Sequence, residues 1–231
     1  MANPAYVIPA PVIPTLPVVG SDALFPVHRI YCVGRNFADH AIEMGHDPNR
    51  EPPFFFQKNP DNLVASGSTI PYPKLSSDVH YEIEMIVALK SGGDDIPVEK
   101  ALDHVFGYGV GIDLTRRDLQ AVQKKLGRPW DIAKAYEQSA PAGGLVPAEK
   151  IGHPSAGRIW LSVNGDVKQD GDLNQMIWKV PEMIATLSTF FTLQPGDLIF
   201  AGTPAGVGPL VSGDVLKGGV AGVGEVEITF A

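Results

Sequence analysis

Helix-breaking residues are spread so widely along this chain that little room is left between them for long regular segments. Glycine and proline together supply 46 of the 231 residues (25 plus 21), close to a fifth where ordinary usage is roughly 12%. No Gly-X-Y period accompanies them, so a collagen-like rod is excluded. What remains is a turn-rich fold of many short elements in which long helices are a minor material. No repeat of roughly 20 to 50 residues is present, which argues against solenoids and propellers. Apolar residues make up 44% of the chain, enough for a sizeable core. Lys plus Arg is 18 against 26 Asp plus Glu, a net charge of −8, and such a balance repels a phosphate backbone rather than binding nucleic acid.

Residues 1–27 carry Pro4, Pro9, Pro11, Pro14 and Pro17 and read as an extended lead-in to a domain spanning 28–231. The same prolines interrupt any candidate signal or anchor segment, and no run elsewhere approaches the roughly 18 apolar residues of a membrane span, so a cytoplasmic location without membrane partners is expected. The lone cysteine, Cys32, lies in a strand-like run and reads as buried and inert. After a strand at 30–33, Asn36 is placed to cap a two-turn helix that Gly45 ends. An apolar strand follows at 54–58. The alternation over 79–89 predicts one long strand, and 106–113 a Gly-rich one. Thr115 opens a second helix with Leu119, Val122 and Leu126 on one face and Gly127 at its end. Asn164-Gly165 between 158–163 and 166–169 is the strongest hairpin signal. A helix recurs through Val180, Ile184 and Leu187, and strands near 198–201, 215–217 and 225–230 close the chain.

The sharpest candidate site is His80-x-Glu82-x-Glu84. A strand sends alternate side chains to one face, so these three polar groups point the same way while Tyr81, Ile83 and Met85 face the core. Two carboxylates about 7 Å apart repel each other, and a shared cation relieves the repulsion. Asp113, after the Gly-rich strand, would complete an all-oxygen set suited to a hard divalent ion rather than Zn²⁺. A solvated acidic sheet face produces the same alternation. His40 and Glu43 are i, i+3 neighbours in which the carboxylate can orient the imidazole, half of a general-base device or else a surface ion pair. Lys58 and Lys134 each follow apolar residues and either approach an anionic substrate or snorkel to the surface. Arg117 and Gln120, again i, i+3, could grip a carboxylate. Thr203, in the turn Gly202-Thr203-Pro204-Ala205-Gly206-Val207-Gly208, could present its hydroxyl to a small anion. That turn lacks a Walker Lys-Ser/Thr, and Gly107-Tyr108-Gly109-Val110-Gly111 is not Gly-x-Gly-x-x-Gly, so nucleotide readings fail.

In order and spacing, Val33-Gly34-Arg35-Asn36-Phe37-Ala38-Asp39-His40, His80-Tyr81-Glu82-Ile83-Glu84, Gly111-Ile112-Asp113-Leu114-Thr115-Arg116-Arg117-Asp118, Gly127-Arg128-Pro129-Trp130 and Pro195-Gly196-Asp197-Leu198-Ile199-Phe200-Ala201-Gly202-Thr203-Pro204 resemble the fumarylacetoacetate hydrolase family, in its short single-domain branch. The resemblance implies a mixed β-roll, sandwich-like and mainly β with a few short helices. It implies a homodimer holding one Mg²⁺ or Mn²⁺ per subunit through Glu82, Glu84 and Asp113. His40 and Glu43 would activate water, Lys134 would stabilise or protonate developing charge, and Arg35, Lys58, Arg117, Gln120 and Thr203 would hold substrate. The run 47–58 is similar to that of bacterial fumarylpyruvate hydrolases of gentisate breakdown, with Arg50 placed to meet a distal carboxylate. The implied reaction is cleavage of a 2,4-diketo acid such as fumarylpyruvate. Oxaloacetate decarboxylation and 2-oxo acid isomerisation or hydration are alternatives within the family, and a non-catalytic metal-binding protein is the alternative outside it.

Overall fold

The structure, a computed structural model, describes residues 5–45 and 52–231. Short strands dominate, as the glycine and proline content requires, and they form a mixed β-roll. The larger sheet runs in the order Phe54–Lys58, Ile30–Gly34, Leu198–Phe200, Ile83–Leu89, Val105–Ile112, Ala140–Ala142 and Leu63–Ala65, with Val146–Pro147 also on Val105–Ile112. It is mixed because Leu198–Phe200 is parallel to Ile30–Gly34 on one side and antiparallel to Ile83–Leu89 on the other. A second sheet orders Asp166–Asp172, Arg158–Val163, Val215–Val220, Gly224–Phe230 and Ser68–Ile70.

Along Ile83–Leu89, Met85 and Val87 join the main core with Leu161, Leu216 and Val226. Ile86 and Ala88 join a second cluster with Cys32 and Phe200. Both faces of this strand are therefore covered, which is why it is a nearly unbroken apolar run. Leu16 and Phe25, from the paired strands Thr15–Pro17 and Leu24–Pro26, belong to the second cluster too. Cys32 is buried, and burial pushes its thiol up, consistent with an inert core cysteine. Asn164 (φ 53°) and Gly165 (φ 88°) make the two-residue turn between Arg158–Val163 and Asp166–Asp172. Among the described residues no helix is long and apolar enough to cross a membrane.

Three local expectations fail, each because tertiary contacts override local pattern. The strand expected at 79–89 is two: Val79–His80 pairs with Thr115–Arg116 and Pro209–Leu210, and Ile83–Leu89 belongs to the large sheet. The chain turns between sheets at Tyr81 and Glu82, so His80 does not share a face with the glutamates; its imidazole meets Asp78 at 2.9 Å. Asn36 does not cap the first helix, Ala38–Glu43. It is buried instead, where its amide donates to Trp178 O and Ala201 O and accepts from Trp178 N. Thr115 is strand, and the helix is Arg117–Lys125. Its inward residue is polar Gln120, while Val122 and Leu126 are about half exposed (50% and 52%).

Candidate active site

The pairing of Ile83–Leu89 with Val105–Ile112 sets Glu84 opposite Gly111, and the Asp113 N–H donates to Glu82 O at 2.8 Å. Glu82, Glu84 and Asp113 thereby converge, each offering an oxygen within 4.8 Å of the others. All three are at least 95% buried, which excludes the solvated sheet face.

Three carboxylates cannot be buried together uncompensated. Lys134, from the short helix Asp131–Lys134, sets its ammonium between two of them, donating to Glu82 Oε2 at 2.8 Å and Asp113 Oδ2 at 2.7 Å. Arg117 Nη2 donates to Glu82 Oε1 at 2.6 Å and Nη1 to Gln120 Oε1 at 2.7 Å. Arg117 thus holds the protein's own Glu82 carboxylate on one side and the Gln120 side-chain oxygen on the other. Lys58, with a fully buried side chain, pairs with Asp113 Oδ1 at 2.8 Å and donates to Ser139 Oγ, Leu114 O and Lys134 O. It neither snorkels nor lines the cavity. Its ammonium is occupied by Asp113, Ser139 and the backbone at Leu114 and Lys134, where the sequence had offered it as a substrate-holding cation.

Burial favours the neutral form of each acid, and neighbouring charges then separate them. For Glu82 the burial effect is outweighed by Lys134 and Arg117, which hold it well below the usual carboxylate range. For Glu84, burial and then the Asp113 and Glu82 charges push it well up, although it accepts the Gly202 N–H at 2.7 Å. Burial would lower Lys134, but Asp113 and Glu82 outweigh it and raise the ammonium.

His40 is buried, and its Nδ1–H donates to Glu43 Oε2 at 3.0 Å, the direction required by an ionised carboxylate. Glu43 Oε1 in turn accepts the Gly206 N–H at 3.0 Å. Neutral His40 so oriented keeps the lone pair on Nε2. The glycine turn therefore joins the dyad to the carboxylates, through Gly206 and Gly202 respectively. Gly202 adopts φ 92°, and a Cβ there would lie 2.6 Å from Asn36 Cβ.

A cavity of about 160 Å³ is lined by His40, Glu82, Glu84, Arg117, Gln120, Lys134 and Thr203, together with Arg35, Lys124 and the aromatic walls Phe54, Phe56 and Trp130. Arg35 sits at φ 54° with its guanidinium 5.0 Å from the Phe54 ring centre. Arg50 lies outside the described residues. Gln169 was missed by the sequence reading. It is fully buried in Asp166–Asp172 and touches both Ile83 and Thr203; its only sequence signal is a polar residue in a strand position.

The family described as fumarylacetoacetate (FAA) hydrolase, C-terminal, matches residues 29–231. The chain belongs to the fumarylacetoacetate hydrolase family. Within it, the fumarylpyruvate hydrolase of Pseudomonas aeruginosa, solved in complex with Mn²⁺ and pyruvate, is 49% identical with a TM-score of 0.95, covering 98% of this chain and 99% of that one. The fumarylpyruvate hydrolase of a Ralstonia species is 43% identical over 79% of this chain and 95% of its own length. A mitochondrial oxaloacetate decarboxylase of Dictyostelium discoideum is 40% identical over 84% and 89%.

Proposed function

We propose that this protein hydrolyses the C–C bond of an acylpyruvate, with fumarylpyruvate, cleaved to fumarate and pyruvate, as its preferred substrate. The observation that carries the reading is that His40, held by Glu43, lines one cavity with Glu82 and Glu84, and that Asp113 offers an oxygen within 4.8 Å of theirs. The all-oxygen donor set fits Mg²⁺ or Mn²⁺, one per subunit. Held by Glu82, Glu84 and Asp113, such an ion would polarise the 2-oxo group and its neighbouring carboxylate, easing release of the bonding electrons.

Glu43 orients His40, whose Nε2 removes a proton from water, and the hydroxide attacks the carbonyl remote from the carboxylate. As the C–C bond breaks, Lys134 stabilises or protonates the developing enolate, while Arg117, Gln120 and Thr203 hold substrate oxygens. Phe54, Phe56 and Trp130 accept the unsaturated acyl chain, and Arg35 meets its distal carboxylate. This reading includes a homodimer and a cytoplasmic role in gentisate-type aromatic breakdown.

The test follows loss of diketo-acid enol absorbance with fumarylpyruvate and acetylpyruvate, with and without EDTA. Undiminished rate in thoroughly stripped protein, or no turnover of either substrate, overturns the reading. A second reading, oxaloacetate decarboxylation, is favoured by the likeness to the Dictyostelium protein and needs the same carboxylates but no attacking water. Pyruvate formation from oxaloacetate by the His40→Ala variant, with diketo-acid hydrolysis lost, would support it.

A further inference from the structure

Gln169 shares no sequence neighbourhood with the site, yet it ties two of its parts together. The Asp166–Asp172 strand pairs with Arg158–Val163 through a register shift: Leu161 lies opposite Gln169, but Ser162 lies opposite Val167. Lys168 is thus an extra residue, and such bulges re-aim the side chains beside them. The turn around Thr203 packs directly on this irregularity, since a Cβ on Gly206 (φ 99°) would lie 2.1 Å from Lys168 O.

From the bulge the Gln169 side chain reaches the Ile83 N–H at 3.0 Å, Thr203 Oγ1 at 2.8 Å and Pro204 O at 2.7 Å. Its amide can face only one way. The Ile83 N–H requires the oxygen, the Pro204 carbonyl requires the NH₂ group, and the second amide hydrogen is left for Thr203. Thr203 Oγ1 is therefore an acceptor toward the protein, and its own proton is directed to another acceptor. Thr203 is itself buried and lines the cavity.

We infer that Gln169 is a positioning residue that holds the Thr203 hydroxyl as a donor toward the substrate oxygen on which negative charge develops, while fixing the peptide between Glu82 and Glu84 to the same turn. The inference rests on the acylpyruvate reading for its substrate, but the hydrogen-bond network itself is independent of it.

Gln169→Glu keeps the acceptor for the Ile83 N–H but offers Thr203 a lone pair in place of an N–H, so the hydroxyl turns back toward the protein. Loss of one preorganised donor costs on the order of 10²-fold in kcat. That loss is expected for fumarylpyruvate in Gln169→Glu and in Thr203→Val, with a much smaller change in KM. The double variant is expected to be no worse than either single one, because both remove the same donor. Gln169→Met, neutral and of similar length, is expected to match them and serves if the glutamate variant does not fold. Losses that multiply in the double variant, or unchanged kcat in Gln169→Glu or Gln169→Met, would overturn the inference.

A second readout needs no substrate. In the ¹H–¹⁵N spectrum of the wild-type protein the Gln169 side-chain amide protons are expected to exchange slowly with solvent, and Thr203→Val to shift one of them. Exchange as fast as that of exposed glutamines would overturn the inference, whereas slow exchange with no turnover of fumarylpyruvate would overturn only the substrate reading.

Discussion

Replacing Lys58 by methionine separates a substrate-binding lysine from one that serves the protein. In the structure the Lys58 ammonium pairs with Asp113 at 2.8 Å and reaches Leu114 O and Ser139 Oγ, with no exposure of the side chain. Removing one member of a buried ion pair typically costs about 3–5 kcal/mol, because the other charge is left behind. Here Asp113 retains Lys134 at 2.7 Å and Ser139 Oγ still donates to Lys134 O at 3.0 Å, so the lower end, about 3 kcal/mol, is expected. Against a total stability of about 5–15 kcal/mol this is a large fraction. For a domain of this size it corresponds to a fall in Tm of about 6–12 °C. Urea and thermal unfolding of chelator-treated wild type and variant measure it. A loss below about 1 kcal/mol together with a large rise in KM for fumarylpyruvate would show that Lys58 contacts substrate and that the assignment to Asp113 is wrong.

Three further outcomes are expected. His40→Ala lowers kcat for diketo-acid hydrolysis by about 10²- to 10⁴-fold and leaves Mn²⁺ affinity, measured by titration, unchanged; a parallel loss of affinity would mean that His40 shapes the metal site instead. Burial, and then Asp113 and Glu82, push the Glu84 carboxyl well up, so the metal-free protein keeps a proton there above the ordinary carboxylate pKa. Mn²⁺ binding should release that proton and tighten with rising pH until the raised pKa is passed, which calorimetry in buffers of different ionisation enthalpy would detect; no proton release, with an affinity that does not tighten as pH rises above the ordinary carboxylate pKa, contradicts the assignment. Gly206→Ala forces a Cβ to 2.1 Å from Lys168 O at φ 99° and should cost about 1–3 kcal/mol while loosening the Gly206 N–H that Glu43 accepts. Unaltered melting and unaltered kcat would contradict the close packing of the turn on the bulge.

Much of the site was legible because its parts are local. His40 and Glu43 are a helical i, i+3 pair in the chain and remain one in the fold. Glu82 and Glu84 are two residues apart near the start of one strand, and the Asn164-Gly165 turn follows from two residues that tolerate positive φ. Thr203 and Lys134 were visible only as candidates, since nothing in an apolar flank distinguishes a lysine that snorkels from one drawn into an acidic pocket.

Other features could not be read locally because their causes lie far along the chain. Asn36 looks like a helix cap until Trp178 and Ala201, more than 140 positions away, compete for its amide. Val79 to Leu89 looks like one strand until the partners of its two ends prove to belong to different sheets. Lys58 looks like a ligand-binding cation until Asp113 arrives beside it, and Gln169 looks like any polar strand residue until a bulge turns it toward Ile83 and Thr203. Period and turn chemistry determine which side chains lie together within a few residues, and that was enough to mark Glu82 with Glu84, and His40 with Glu43, as candidate pairs; Asp113 joins the glutamates only through the pairing of two strands. Which cation neutralises which buried acid, and which amide holds which hydroxyl, depends on desolvation and hydrogen-bond competition that exist only once distant segments have packed.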